Sequence, residues 1–193
     1  MVQVNNTPIV LRVKFFKVGS LQYISHLDLV RTMHKIIIRA NLPLWYTEGF
    51  NPKPKMVFAA PLSIGAESMC EFMDLRLTEK MPVEDAINAL NKNLTDEMQV
   101  TSAYYPETKL TDLKWLSYDI KIKTNGASAD LAKQCADFLN SDKIEVEKKT
   151  KKGDAVVDIR PLIKSAFAEY VDGYINISFS SGVALITFPV STS

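Results

Sequence analysis

Residues 9–17 alternate in hydropathy. Leu11, Val13 and Phe15 fall on one side and Arg12, Lys14 and Phe16 on the other, the period-two signature of a strand. Past Val18-Gly19-Ser20 the period changes to 3.6. Leu29, Val30, Met33, Ile36, Ile37 and Ala40 make one stripe, which predicts a helix over residues 25–40 with Ser25 as its cap and Asp28 in its first turn. Asn41-Leu42-Pro43 ends it, and Gly49, Pro52 and Pro54 make the following loop irregular and stiff. Strand patterns return over residues 56–62 and 69–77. A second helix is expected over residues 83–94, entered through Pro82, and a fourth strand over 98–105.

That order, β-α-β-β-α-β, is the split βαβ of a ferredoxin-like domain. Residues 106–114 carry no sustained period and mark the boundary, after which the pattern restarts. It reads as a strand over residues 116–123, a helix over 127–140 with Leu131, Cys135, Phe138 and Leu139 inward, and two strands over 143–150 and 155–160. A short helix over 162–170 and a last hairpin of 174–180 with 183–190 complete it. The expectation is an α+β chain of two tandem ferredoxin-like domains with antiparallel sheets, residues 1–108 and 109–193. The second stops directly after a strand, as a domain trimmed at its C-terminus would.

Composition narrows the function classes. In 193 residues, 47% hydrophobic and 23% charged is the balance of a globular chain able to bury a core without staples. No apolar run approaches the roughly 20 residues that span a bilayer, so a cytoplasmic protein with no membrane partner is expected. Cys70 and Cys135 lack neighbouring ligands and read as buried thiols in a reducing compartment, with no metal and no cofactor. Net charge is only +1 and argues for no polyanion by itself.

The charge is not evenly spread, however. Between residues 9 and 55 stand Arg12, Lys14, Lys17, Arg31, Lys35, Arg39, Lys53 and Lys55 against Asp28 and Glu48, eight basic groups to two acidic, a local excess of six. Arg31, Lys35 and Arg39 recur every four residues and form a ridge on the polar side of the first helix. Tyr23, Tyr46 and Phe50 are interleaved with these cations, the combination that neutralises phosphates and stacks bases. A solvated helix face with ordinary loop lysines fits the same residues. His26, beside Ser25 and Asp28, could act as an acid, a base or a ligand's hydrogen-bond partner, or could simply belong to the helix cap. His34 reads as a boundary residue. Glu71 faces opposite to Cys70 and Asp74 on its strand, so these groups do not converge and read as structural.

Several of these segments together resemble a known family. They are Lys17-Val18-Gly19, Tyr23-Ile24-Ser25-His26-Leu27-Asp28-Leu29, Arg39-Ala40-Asn41-Leu42-Pro43, Tyr46-Thr47-Glu48-Gly49-Phe50-Asn51-Pro52-Lys53-Pro54 and Pro61-Leu62, with Asp158-Ile159-Arg160-Pro161 further on. They are similar to the radical-SAM-linked domain family of unknown function, fused to B12-binding radical SAM proteins or standing alone in bacteria. The family pattern carries paired arginines before Ala-Gly-Leu-Pro and commonly histidine at the position of Lys53; this chain has Ile38-Arg39, Asn41 and a lysine there. The resemblance implies a radical SAM partner and a reducing cytoplasm. The chain lacks the CxxxCxxC cluster ligands, so it is not itself the radical SAM enzyme.

The leading expectation is an RNA-binding accessory module that presents tRNA or rRNA to that partner. Arg12, Lys14, Arg31, Lys35, Arg39, Lys53 and Lys55 would supply the charge, Tyr23, Tyr46 and Phe50 the stacking surfaces, and His26, Asp28 and Asn51 the specific reading. Two rivals stand beside it. One is an enzyme using His26 and Asp28 on a phosphorylated or carboxylated small molecule under the loop of residues 49–54; the other is a protein–protein adaptor.

Overall fold

The structure, a computed structural model of the chain, describes residues 7–60, 62–150 and 153–182. Cα packing divides it into two compact units, Met1–Asp112 and Leu113–Ser193. It is a mixed α+β protein with three helices among the described residues, and every strand pairing among them is antiparallel.

The first unit runs β1 (Ile9–Lys17), α1 (His26–Arg39), β2 (Met56–Phe58), β3 (Ser68–Leu77), α2 (Val83–Asn91) and β4 (Val100–Tyr104). Its sheet has the order β2-β3-β1-β4. Register places Leu11 opposite Leu75, Val13 opposite Met73 and Phe15 opposite Glu71. Leu11, Val13 and Phe15 are fully buried in one cluster with Leu29, Met33, Ile36 and Ile37 of α1 and Ala86 and Leu90 of α2, so both helices cover the same face. Each of the large α1 side chains contributes about 1.5–3 kcal/mol by leaving water. Strand alternation then sends Arg12 and Lys14 to the opposite face.

Arg12 is nevertheless 5% exposed. Its guanidinium donates to both carboxylate oxygens of Asp74, at 2.7 and 3.0 Å, and to the Thr108 carbonyl at 2.9 Å. The segment after β4 thus caps a charge pair that would otherwise lie open on the sheet.

The second unit contains β5 (Trp115–Lys123), α3 (Ala129–Leu139), β6 (Glu145–Thr150), β7 (Gly153–Asp158), β8 (Ile163–Val171) and β9 (Tyr174–Gly182). Its main sheet is β5-β9-β8, and β6 and β7 pair with each other. Of residues 162–170, expected to be helical, all but Leu162 lie in strand β8. Pro161 opens only a single 3-10 turn, Arg160–Leu162, after which Ala166, Phe167 and Ala168 pair in turn with Phe179, Ser178 and Ile177. β9 lies between β5 and β8, and the second strand of the expected last hairpin, residues 183–190, lies outside the described residues. Phe138, expected inward, is 60% exposed, and Ala132 is the buried side chain of α3.

The Asp158-Ile159-Arg160-Pro161 motif is a clasp. Asp158 Oδ1 accepts from the Ile144 and Arg160 amides at 2.9 and 3.0 Å, while Arg160 donates to the Ser141 and Ile163 carbonyls at 2.9 and 2.6 Å. These backbone donors hold the Asp158 carboxyl below its ordinary pKa.

Candidate functional site

α1 begins as its sequence requires. Ser25 Oγ accepts the Asp28 amide at 3.1 Å and donates to Asp28 Oδ2 at 2.7 Å, so cap and first-turn acid satisfy each other. Asp28 Oδ1 also accepts from Arg31 at 3.2 Å. The Ser25 hydroxyl, with Arg31, holds the Asp28 carboxyl below its ordinary pKa. Asp28 is therefore a solvent-facing capping carboxylate. Its partners are thus Ser25 and Arg31 of its own helix start.

His26 turns the other way. Its ring stands edge-on to Phe58, with centroids 5.5 Å apart, and its Nδ1 is buried without a hydrogen-bond partner. Phe58 in turn meets Phe15 edge-on at 6.2 Å.

The ridge is exposed as its spacing predicts: Arg31, Lys35 and Arg39 all face solvent. The loop that follows is a narrow hairpin. Tyr46 and Pro54 form a bridge, the Thr47 amide donates to the Lys53 carbonyl at 2.9 Å, and the Lys55 amide donates to the Trp45 carbonyl at 2.9 Å. Gly49 at φ +116° turns the tip, a conformation that side chains other than glycine rarely adopt. Phe50 stands at that tip fully exposed.

His34 joins ridge and loop, a role its sequence position does not announce. Its Nε2 lies 3.2 Å from the Pro54 carbonyl. The backbone between Lys53 and Lys55 is thereby tied to α1 between Arg31 and Lys35. Lys53, Lys55, Asn51 and Tyr46 are exposed on the hairpin, and Tyr23, just before α1, is 68% exposed.

Two expected members fall elsewhere. Arg12 is spent in the buried pair with Asp74, and half-buried Lys14 sits beside it on the sheet face that the helices do not cover. Both are removed from the ridge by strand alternation, whatever the local charge count.

Lys17, not among the expected contacts, is 2% exposed. Its ammonium donates to the Leu21 and Ala66 carbonyls at 2.9 and 3.1 Å, closing the turn before α1 against the turn before β3. Burial pushes that ammonium below its ordinary pKa, against the opposing pull of Glu71 and Glu67. Glu71 lies opposite Phe15 on the helix-covered face, and burial pushes its carboxyl up.

Cys70 is exposed and Cys135 half-buried, both as free thiols, so the expected burial does not hold for Cys70, which sits near the start of β3. Among the described residues no three His, Cys, Asp or Glu side chains are grouped to hold a metal, and no helix is long and apolar enough to cross a membrane. A shallow cavity of about 260 Å³ is lined wholly by second-unit residues, among them Ser117, Asp119, Ser165, Phe167, Ser178 and Ser180.

Residues 10–185 match a family model described as an uncharacterized protein conserved in bacteria. No curated protein matches the chain.

Proposed function

We propose that this chain, which belongs to the family of uncharacterized proteins conserved in bacteria (DUF2344), is an RNA-binding accessory module. The observation that carries the reading is the joining of a basic helix ridge to an aromatic-tipped basic hairpin through the His34–Pro54 contact. Phosphates are neutralised by exposed Arg31, Lys35, Arg39, Lys53 and Lys55, and the unburied rings of Phe50, Tyr46 and Tyr23 are free to stack on unpaired bases. The fully exposed tip also weighs against a loop closed over a small-molecule cavity, and Asp28 is engaged in the cap; both disfavour a His26–Asp28 enzyme.

The strand order β2-β3-β1-β4 supports reading the first unit as a split-βαβ, ferredoxin-like platform. By the resemblance of its motifs, the module serves a radical SAM enzyme that modifies tRNA or rRNA in the bacterial cytoplasm.

Filter binding with cellular tRNA and rRNA fragments over a salt series tests the binding. Five phosphate contacts predict a slope of log K against log salt of about −3.5, or about a hundredfold loss between 50 and 200 mM, for single-stranded sites. Lys53→Ala with Lys55→Ala should flatten that slope by about 1.4. No salt-dependent affinity for any cellular RNA sinks the reading, and co-purification of a protein partner that survives nuclease would favour an adaptor instead.

A further inference from the structure

Three elements of the first unit bring polar groups, and a fourth an aromatic ring, to one end of its sheet, under the start of α1. β1 supplies Lys17, β3 supplies Glu71, and α1 supplies His26 with its buried, unpartnered Nδ1. β2 supplies Phe58, which touches both His26 and Phe15. Register fixes this grouping. Phe15 is opposite Glu71, Lys17 is opposite Ser68, and Phe58 is opposite Met73, two residues from Glu71 on the same face. A buried ring nitrogen without a partner is an exception among native structures and asks for one.

We propose that this end of the sheet is a recognition site for a single unstacked nucleobase, whose edge is hydrogen-bonded by His26, Glu71 and the remaining N–H of Lys17 and whose ring rests on Phe58. The inference deepens the RNA-binding reading and rests on it for the strand that delivers the base.

The chemistry selects a neutral, planar ligand carrying both donors and acceptors. A simple anion would meet the carboxyls of Glu71 and Glu67, and a simple cation would meet the Lys17 ammonium. A base edge carries both the donors and the acceptors that groups of these three kinds call for. Lys17 spends two of its three N–H bonds on the Leu21 and Ala66 carbonyls, leaving one. Glu71, on the helix-covered face opposite Phe15, offers a carboxyl acceptor. Apolar side chains near this end of the sheet are exposed. Tyr23, Leu27 and Ile64 are 68%, 56% and 64% exposed, and the Gly65 amide donates to the Gln22 carbonyl at 2.8 Å, holding the Ile64 turn beside Tyr23.

The test separates base from backbone. The four free nucleosides, which carry no phosphate, are titrated into the full chain while the His26 ring protons are followed by NMR. At least one nucleoside should shift them saturably, and Glu71→Gln should change which nucleoside does so. In parallel, His26→Phe keeps the packing on Phe58 and removes the nitrogen. It should weaken a single-stranded oligonucleotide about tenfold, the weight of one hydrogen bond, with the salt slope unchanged, and an abasic oligonucleotide should no longer distinguish variant from parent. Silence of the His26 protons toward all four nucleosides overturns the site while salt-dependent RNA binding stands. A nucleoside response without any salt-dependent RNA binding upholds the site and removes the ridge. A His26→Phe loss that also flattens the salt slope overturns the site as well, because the damage is then to the charged surface.

Discussion

Asp74→Asn offers a sharp test of the buried charge pair. It is nearly isosteric, but it leaves the Arg12 guanidinium charged in the interior with neutral acceptors alone, one amide oxygen and the Thr108 carbonyl at 2.9 Å, and sets an NH2 donor against it. Both side chains are 7% exposed, so solvent cannot replace the lost carboxylate. Breaking one partner of such a pair costs about 3–5 kcal/mol. At a urea slope of about 2 kcal/mol/M, the midpoint should fall by about 1.5–2.5 M. The chain has two tryptophans, and Trp115→Phe leaves Trp45 as the sole indole, reporting the first unit. Replacing both partners, Arg12→Met with Asp74→Leu, should restore the midpoint or raise it, because no charge is then left unpaired. A midpoint for Asp74→Asn within about 0.5 M of the parent, roughly 1 kcal/mol at that slope, would refute the argument and mean that water reaches Arg12.

Two further outcomes follow from the site. Glu71 has its folded-state pKa raised from the ordinary 4.5 by burial, so the folded chain binds more protons than the unfolded one above that pH. Its contribution to stability therefore declines as pH rises through and beyond 4.5, and urea midpoints of Glu71→Gln should exceed the parent's at pH 7 and match them near pH 4; equal midpoints at both pH values would contradict the burial. His34→Ala removes the tie to the Pro54 carbonyl, worth about 1 kcal/mol, and should speed amide exchange at Thr47 and Lys55 about fivefold. Unchanged exchange would mean that the hairpin holds its place without the helix.

The first unit was legible because its periods are clean. Leu29, Met33, Ile36 and Ile37 repeat on one helical stripe, and Leu11, Val13 and Phe15 alternate; each set is buried as its spacing implies. β8 was not legible. Its apolar residues Ile163, Ala166, Phe167, Ala168 and Tyr170 satisfy both periods partly, and Pro161 ahead of them imitates a helix start; pairing with β9 decides between the two.

The site divides in the same way. Arg31, Lys35 and Arg39 are exposed because helix spacing alone aims them outward. Arg12 and Lys17 could not be separated from them by composition, since their burial depends on Asp74, Leu21 and Ala66, which only tertiary structure brings near. Glu71 was set apart from Cys70 and Asp74 by alternation, but nothing local showed which face α1 would cover. His34 looked like a boundary residue because its partner is a backbone carbonyl 20 positions away.

Asn41, at φ +52°, follows α1 in the left-handed conformation that asparagine tolerates better than most residues. From it the chain turns to bury Leu42 and Leu44, and Leu44 bridges to Leu77. Between His34 and that turn, the helix is held at two points against the rest of the unit, so its rotational phase is locked to the hairpin. One residue inserted between Lys35 and Arg39 would advance Arg39 by about 100°, carrying it off the line of Arg31 and Lys35. The charged surface is thus specified by the count of residues from His34 to Asn41 as much as by their identities. Length, in this segment, is itself part of what lays out the charged surface.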